Sequence, residues 1–291
     1  MSLLTKFNLA LVLVFSLALV PVGFISHALL QRSARTQIIQ NARIMMETAM
    51  AVRGYTIKQV KPLLDTRLAQ QFLPQTVPAY SATEIFNYLR EGHPEYEYKE
   101  ATLNPSNPRD RTVDWEADVV NEFRRDPKKS EIIGERETTE GPSLFLSHPI
   151  QIKDPKCLAC HLTPEQAPVS LVKQYGPSNG FGWKQDEIVG AQIVSVPMSI
   201  PVGMASNAFR TLLVALAGVF GFTLLVLNLL LRFAVIAPLT RLAAMADQVS
   251  RGNMEVPDVA IQGKDEVALL AGSFNRMRIS LQKALAMLDE Q

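Results

Sequence analysis

Two cysteines and a histidine stand together in the run Cys157-Leu158-Ala159-Cys160-His161. Thiols three positions apart lie on one turn of a helix, so both can form bonds to the two vinyl groups of one porphyrin. The imidazole of the next residue then points at the iron. This spacing is the signature of c-type haem attachment, with His161 Nε2 as the proximal iron ligand. The sequence therefore predicts one covalent haem c, bound through Cys157, Cys160 and His161.

Other uses of the motif have less support in the rest of the sequence. A zinc site would need more ligands, but these are the only two cysteines, and His27, His93 and His148 lie at no zinc-like spacing. A redox-active pair or a simple disulfide stays open, although no thioredoxin-like strand precedes the motif. A chance occurrence stays open as well. Because this attachment takes place outside the cytoplasm in bacteria, we predict a periplasmic location for the motif.

The sequence leaves the ligand on the opposite face of the iron open. Methionine raises the reduction potential and histidine lowers it relative to methionine, whereas an open iron would favour a gas such as nitric oxide or carbon monoxide. On the proximal side, the ring of His161 should be oriented by a hydrogen-bond acceptor that the sequence does not identify. Candidates for the sixth ligand are Met45, Met46, Met50, His148 and Met198, and candidates for lining the pocket are Arg53, Tyr55 and Trp183.

Two long apolar stretches flank the region that carries the motif. Residues 8–30 contain no acidic or basic side chain except His27, and residues 211–231 contain no charge at all. About 20 apolar residues in a helix cross the hydrocarbon core of a bilayer, so we predict a transmembrane helix in each stretch. A cleaved signal peptide is the alternative for the first stretch, and a buried core helix for the second. The Lys and Arg residues flanking the stretches do not decide the orientation.

The region between the two stretches is long enough to bury a core of its own. Its first half has helical periodicity, and its second half has runs rich in β-branched and aromatic residues. Helices followed by strands favour an α+β domain with an antiparallel sheet. The predicted helices are Gln37–Leu68, Ser81–Arg90 and Asp114–Arg125, and the predicted strands are Ser143–Ile152 and Glu187–Ile200, the latter as a strand or a hairpin.

Two apolar seams follow the second stretch, each with the three- and four-residue steps of a coiled coil. They run through Val235, Leu239, Leu242, Ala246 and Val249, and through Val267, Leu270, Phe274, Met277, Leu281 and Leu285. With Pro238, the pair Asp265-Glu266 and the run Phe274-Asn275-Arg276-Met277, this part resembles a HAMP linker, its connector being residues 251–263. The resemblance implies a homodimer, a cytoplasmic location and a role in signal relay. A generic amphipathic hairpin is the alternative.

An ordered series of short motifs runs through the middle region. It consists of Asn104-Pro105-Ser106-Asn107, Asp114-Trp115-Glu116, the run from Cys157 to His161, Ala167-Pro168, Tyr175-Gly176, Gly180-Phe181-Gly182-Trp183 and Val189-Gly190-Ala191. Because of this series of motifs, residues 42–199 resemble the family of periplasmic c-type haem sensory domains with a PAS-like core. In some members a cysteine before a Lys-Pro pair on the early helix is the distal ligand. Val60 takes that position here, and because valine cannot bind iron, that ligand does not carry over.

Charge and missing motifs narrow the classes of function. The net charge of +1, from 29 basic and 28 acidic residues, gives no indication of a nucleic acid partner. We see no nucleophile–base pair, phosphate loop or carboxylate cluster for a metal, so we expect that the protein is not an enzyme.

The order of span, haem domain, span and HAMP linker is that of a receptor. We predict a membrane-bound haem-based redox or gas sensor with a cytoplasmic signalling partner in trans. The alternatives are a membrane-anchored monohaem cytochrome that serves a redox partner, and a receptor subunit that binds a ligand other than haem. The predicted layout in a bacterial inner membrane is a cytoplasmic N-terminus at 1–7, a transmembrane helix at 8–30, a periplasmic haem domain at 31–209, a second transmembrane helix at 211–231, a cytoplasmic HAMP linker at 232–286 and a tail at 287–291.

Overall fold

The computed structural model describes residues 1–68, 71–139, 141–258, 263 and 265–289. Part of the predicted HAMP connector, residues 259–262, and the last two residues of the predicted tail lie outside the described residues. The chain forms two compact units, one from His27–Phe209 and the other from Met1–Ser26 together with Arg210–Gln291.

The first part of the chain is helical. Helix α1 spans Leu3–Tyr55 and contributes residues to both units. A π-helical turn at Thr56–Val60 follows it, and helix α2 at Lys61–Leu68 continues the run. The prediction of a helix through Leu68 is therefore confirmed, whereas the π-helical turn was not predicted. Helix α3 spans Pro78–Gly92 and confirms the second predicted helix.

A four-stranded antiparallel sheet forms the centre of the unit His27–Phe209 and confirms the predicted α+β fold class. The strands are β1 Glu97–Thr102, β2 Ile132–Thr138, β3 Gly141–Gln151 and β4 Ile188–Pro197. Their spatial order in the sheet is β1, β4, β3, β2. In β4, every residue is buried, as expected for a central strand rich in valine and isoleucine.

The helices pack on both faces of this sheet. On one face, buried residues of α1 such as Met46 meet Leu146 of β3 and Val194 of β4, which are direct neighbours in the register. On the other face lies helix α4, Asp114–Arg125, whose Phe123 packs against Ile193. Helix α4 begins at the predicted residue because Glu116 Oε2 accepts the free backbone N–H of Val113 at 2.9 Å.

The remaining elements lie around the cysteine motif. A 3₁₀ turn at Pro155–Cys157 leads into the short helix α5, Leu158–His161, and helix α6 spans Val169–Tyr175. The predicted Ser143–Ile152 and Glu187–Ile200 strands are confirmed as β3 and β4, the second as one strand and not a hairpin.

The other unit contains most of the first predicted span and all of the second. By length and composition, the helical runs Leu3–Leu64 and Ser199–Ser250 can cross a membrane. In this unit Asn8 and Asn228 exchange amide hydrogen bonds at 2.9 and 2.8 Å, and Phe15 lies 4.5 Å from Phe220 between ring centroids. This amide pair is therefore a polar contact between two helices whose neighbouring residues are apolar. The second helical run consists of α7 Ser199–Leu230, a π-helical turn Leu231–Ile236 and α8 Ala237–Ser250.

The C-terminal helix α9 spans Glu266–Asp289. Leu242 and Val249 of the first predicted seam are buried, as is Ala271 of α9. The buried Arg278 of α9 donates to the carbonyl of Val256 in the connector. The apolar seam residues of α9 beyond Phe274 are exposed.

Candidate haem site

The cysteine motif begins at the last residue of a capped turn. Asp154 Oδ1 accepts the backbone N–H of Lys156 at 2.9 Å, and Pro155, which has no N–H to satisfy, takes the first position of the turn. Cys157 ends this turn and Cys160 lies on the short helix α5 that follows, and both are half-buried free thiols. The local sequence thus places both thiols beside His161, at the end of β3 and next to the sheet.

His161 has the hydrogen bond that an iron-binding histidine needs. Its Nδ1 lies 2.7 Å from the carbonyl oxygen of Gly180. Because a carbonyl can only accept, Nδ1 carries the proton, and in the neutral ring the lone pair is on Nε2. Burial lowers the pKa of His161, and the bond to Gly180 only partly opposes this, so the ring is neutral near pH 7. The acceptor that the sequence could not identify is therefore the Gly180 backbone.

The segment from Gly180 to Trp183 holds the histidine from one side. The indole of Trp183 stacks on the imidazole with 3.9 Å between ring centroids and 10° between planes. The backbone N–H of Trp183 donates to the carbonyl of His161, and that of Gly182 donates to Leu162. Trp183, predicted as a pocket residue, therefore contacts the proximal histidine directly and restricts the rotation of its ring.

Positive charges from the end of α1 and the start of α2 reach the thiols. Burial raises the pKa of Cys157 and Asp154 raises it further, while the charge of Arg53 lowers it. Burial also raises the pKa of Cys160, and the charge of Lys61 opposes this. The early helical run, on which the resemblance places Val60, thus lies close to the motif.

A buried charged cluster lies beside the site. Arg53 pairs with Glu100, and the hydroxyl of Tyr98 donates to the same carboxylate. Burial is the largest single influence and lowers the pKa of Arg53, but the charges of Glu100 and Tyr98 and the hydrogen bond to Glu100 together raise the pKa overall. Burial raises the pKa of Asp110 to about 6, against the lowering effect of Arg109, and the charge of Glu100 contributes to the rise. Arg53 was predicted as a pocket residue, whereas Tyr98, Glu100 and Asp110 were missed.

The candidate sixth ligands are not equally placed. Met46 is fully buried, and Met45 and Met198 pack against the same core cluster, so all three serve the core. The backbone N–H of Met198 donates to the carbonyl of Pro142, which lies at the end of β3 opposite to the motif. Met50 and His148 remain accessible along one groove of about 520 Å³ between α1 and the sheet. His148 lies 3.6 Å from Glu131, and the predicted pocket residue Tyr55 is largely exposed.

The arrangement fits a haem. Two free thiols on one turn, followed by a neutral histidine with an available Nε2, supply the attachment and the proximal bond. Among the described residues, no group of three or more His, Cys, Asp or Glu side chains is arranged to hold a metal ion, so this part of the structure adds no support for a zinc site. The binding roles of Cys157, Cys160 and His161 themselves stay predictions.

The Gly180 carbonyl was missed as the acceptor for His161 because the contact joins residues 19 positions apart. Gly180 belongs to the motif series that carries the resemblance, but nothing in its type alone indicated this contact. Glu100 is a charged residue at an inward-facing position of β1, a strand whose polar sequence hides its alternation. Tyr98 and Glu100 are two positions apart and therefore lie on the same face of the strand, and this alternation is the signal in the sequence that could have indicated a buried Glu100.

Comparison with known proteins gives two family matches. The Tll0287-like family matches residues 31–197, and the HAMP domain family matches residues 230–283. The crystal structure of the cyanobacterial heme-protein Tll0287 is similar with a TM-score of 0.39 and 16% identity, over 55% of this chain and 94% of that chain. None of the curated proteins compared matches. The predicted HAMP linker is confirmed.

Proposed function

Because the chain belongs to the Tll0287-like family and contains a HAMP domain, we propose that it is a membrane-bound haem sensor that relays a redox or gas signal. We further propose one covalent haem c, held by Cys157 and Cys160, with His161 Nε2 as the proximal ligand. The role is one of signalling and not of catalysis. The haem domain lies in the periplasm of a bacterial inner membrane, and the HAMP domain lies in the cytoplasm.

The observation that carries the haem proposal is the bond between His161 Nδ1 and the Gly180 carbonyl at 2.7 Å. It fixes the tautomer and leaves Nε2 for a metal, as in most metal-binding histidines. A bound haem supplies an iron that changes its oxidation state or takes up a gas. The chain's own residues then have defined tasks. Trp183 and Gly180 hold the imidazole, and the thiols anchor the porphyrin.

The relay proposal rests on chain connectivity. Strand β4 ends at Pro197 and helix α7 begins at Ser199, so little flexible chain separates the sheet from the second candidate span. Helix α7 continues through a π-helical turn into α8, the first helix of the HAMP region. A shift of β4 would therefore be transmitted along a helix, and two discrete packings of the HAMP helices would read it.

The exposed seam of α9 supports a homodimer. Leu270, Met277, Leu281 and Leu285 are between 41% and 58% exposed in the single chain. An apolar row with coiled-coil spacing is normally covered by partner helices. We propose that a second copy covers it and that the dimer acts on a cytoplasmic partner in trans.

Haem attachment and iron access are tested with the full-length protein in detergent. We expect peroxidase-type haem staining in a denaturing gel, and expect Cys157→Ala/Cys160→Ala to abolish it; Ser170→Ala is the control. Staining that survives the double substitution would refute covalent attachment through these thiols. Visible spectra of the oxidised, reduced and carbon monoxide-treated protein then separate an open iron from one with six ligands.

Relay is tested by crosslinking between copies. With Leu281→Cys, a bismaleimide should link the two chains, and the yield should change when the haem is reduced or exposed to gas. Lys283→Cys, two residues away on the opposite side of α9, is the control and should link poorly throughout. A yield for Leu281→Cys that never responds to the haem state would favour the anchored electron carrier over the sensor.

A further inference from the structure

The side chain of Asn104 holds the backbone that orients the proximal histidine. Asn104 follows β1 in the loop toward Pro108, and its amide makes two hydrogen bonds to one short segment. Its Oδ1 accepts the backbone N–H of Gly180 at 3.2 Å, and its Nδ2 donates to the carbonyl of Phe181 at 3.2 Å. The carbonyl between these two groups is that of Gly180, which accepts from His161. The side-chain amide of Asn104 therefore holds the backbone on both sides of the Gly180 carbonyl.

The conformation of Gly180 makes this contact specific. Its φ is +85°, a left-handed conformation that glycine adopts most easily. A Cβ at this position would lie 2.7 Å from the backbone nitrogen and 2.8 Å from the Cα of Ser106. The backbone of Gly180 thus presses against the loop that carries Asn104. Ser106 Oγ is buried and has no hydrogen-bond partner among the described residues, so the side chain of Asn104 supplies the polar connection between the two segments.

The position of the Gly180 carbonyl controls how strongly His161 donates from Nδ1. A strong hydrogen bond at Nδ1 makes Nε2 a better electron donor, and a better donor stabilises the oxidised iron. Trp183 limits the ring to one plane, so the ring cannot follow a displaced carbonyl without losing its stacking contact. The effect of the loop on the iron therefore passes through the segment from Gly180 to Trp183, whose Gly180 carbonyl is the acceptor for Nδ1.

We propose that Asn104 is a positioning residue of the haem site, which sets the reduction potential and the strength of the proximal bond through the Gly180 carbonyl. This inference rests on the proposed haem at His161. Asn104 has no direct part in holding the haem. It acts across a sequence separation of more than 50 residues, from the loop after β1 to the residue that binds the iron.

The test compares Asn104→Leu with Asn107→Leu in the full-length, haem-loaded protein. Asn107 lies in the same loop, and its side chain accepts the backbone N–H of Arg109 at 3.2 Å, a contact within the loop itself. Loss of a group that supports a metal-binding histidine typically weakens the site about 10- to 100-fold. For Asn104→Leu we expect the oxidised form to lose stability relative to the reduced form by about tenfold, a rise in midpoint potential of about 59 mV. The Asn107→Leu potential should stay at the wild-type value.

A second readout separates positioning from a general loss of structure. Acid breaks the proximal bond by protonating His161, and a tenfold weaker bond breaks about one pH unit higher. The visible spectrum of the His161-bound haem should therefore be lost at a higher pH in Asn104→Leu than in Asn107→Leu. If Asn104→Leu does not fold, Asn104→Ser, which removes the amide but keeps a small polar group, takes its place.

The possible outcomes are distinguishable. A wild-type protein without covalent haem would refute the proposed function itself. A haem-loaded Asn104→Leu with wild-type potential and wild-type acid transition would overturn this inference alone. Equal shifts in the Asn104 and Asn107 variants would overturn it as well, because they would assign the effect to the loop and not to the Gly180 contact.

Discussion

Removing Arg53 alone from its buried pair with Glu100 should destabilise the haem domain far more than removing both charges. Arg53 lies near the end of α1 and has a side chain that is 21% exposed, whereas that of Glu100 on β1 is 4% exposed. Glu100 also accepts the hydroxyl of Tyr98. The pair therefore joins the early helix to the sheet beside the cysteine motif.

The burial of each group sets the expected magnitudes. Arg53→Met leaves the Glu100 carboxylate almost without water, which costs about 3–5 kcal/mol. Glu100→Gln leaves the Arg53 cation, which can still reach solvent, and the amide oxygen of the new side chain can still accept the hydroxyl of Tyr98. We therefore expect a smaller cost of about 1–3 kcal/mol. The double variant contains no uncompensated charge and should lie within about 2 kcal/mol of the wild type.

Equilibrium unfolding in urea measures this cycle for the full-length protein in detergent. Both tryptophans of the chain, Trp115 and Trp183, lie in the haem domain, so their fluorescence reports on its unfolding. We expect the double variant to lose less stability than the two single variants lose together, and the difference, which is the coupling energy, should be at least about 2 kcal/mol. Single effects that simply add would show that the two charges do not compensate each other, and the reasoning would fail.

Three further predictions follow from other contacts. Burial raises the pKa of Asp110 from 3.8 to about 6, so the folded protein loses stability as the pH rises from about 4 to about 6, and the loss is complete above about pH 6. Asp110→Asn should therefore stabilise the protein by up to about 3 kcal/mol at pH 8 and by nothing below about pH 4, and urea titrations that show no such pH dependence would contradict this. Gly180→Ala should cost about 2 kcal/mol or more and lower the thermal midpoint, because of its φ of +85° and the contact with Ser106. Asn8→Leu and Asn228→Leu should show a coupling of about 0.6 kcal/mol or more in a double-mutant cycle of unfolding in detergent, and purely additive effects would exclude the amide pair.

Predictions that rest on local patterns agree with the structure. Helix α4 begins and ends at the predicted residues because its start is marked by acidic side chains and its apolar residues have helical spacing. Strands β3 and β4 were predicted because they are long and rich in β-branched residues. Strands β1 and β2 were missed because β1 carries lysine and glutamate at half-buried and buried positions, where only cross-strand partners show that they belong to the sheet.

The sequence by itself determined the spacing of Cys157, Cys160 and His161, from which their haem-binding role is predicted, and it determined the two apolar stretches and the coiled-coil seams. Each depends on spacings of a few residues, which local geometry translates directly into structure. Only the tertiary structure decided that Gly180 accepts from His161, that Glu100 faces Arg53, and that Met46 belongs to the core. These contacts join residues 19 or more positions apart, or depend on which face of a helix meets the sheet. Such pairings follow from the packing of the sheet against its helices, which no single segment of the sequence encodes.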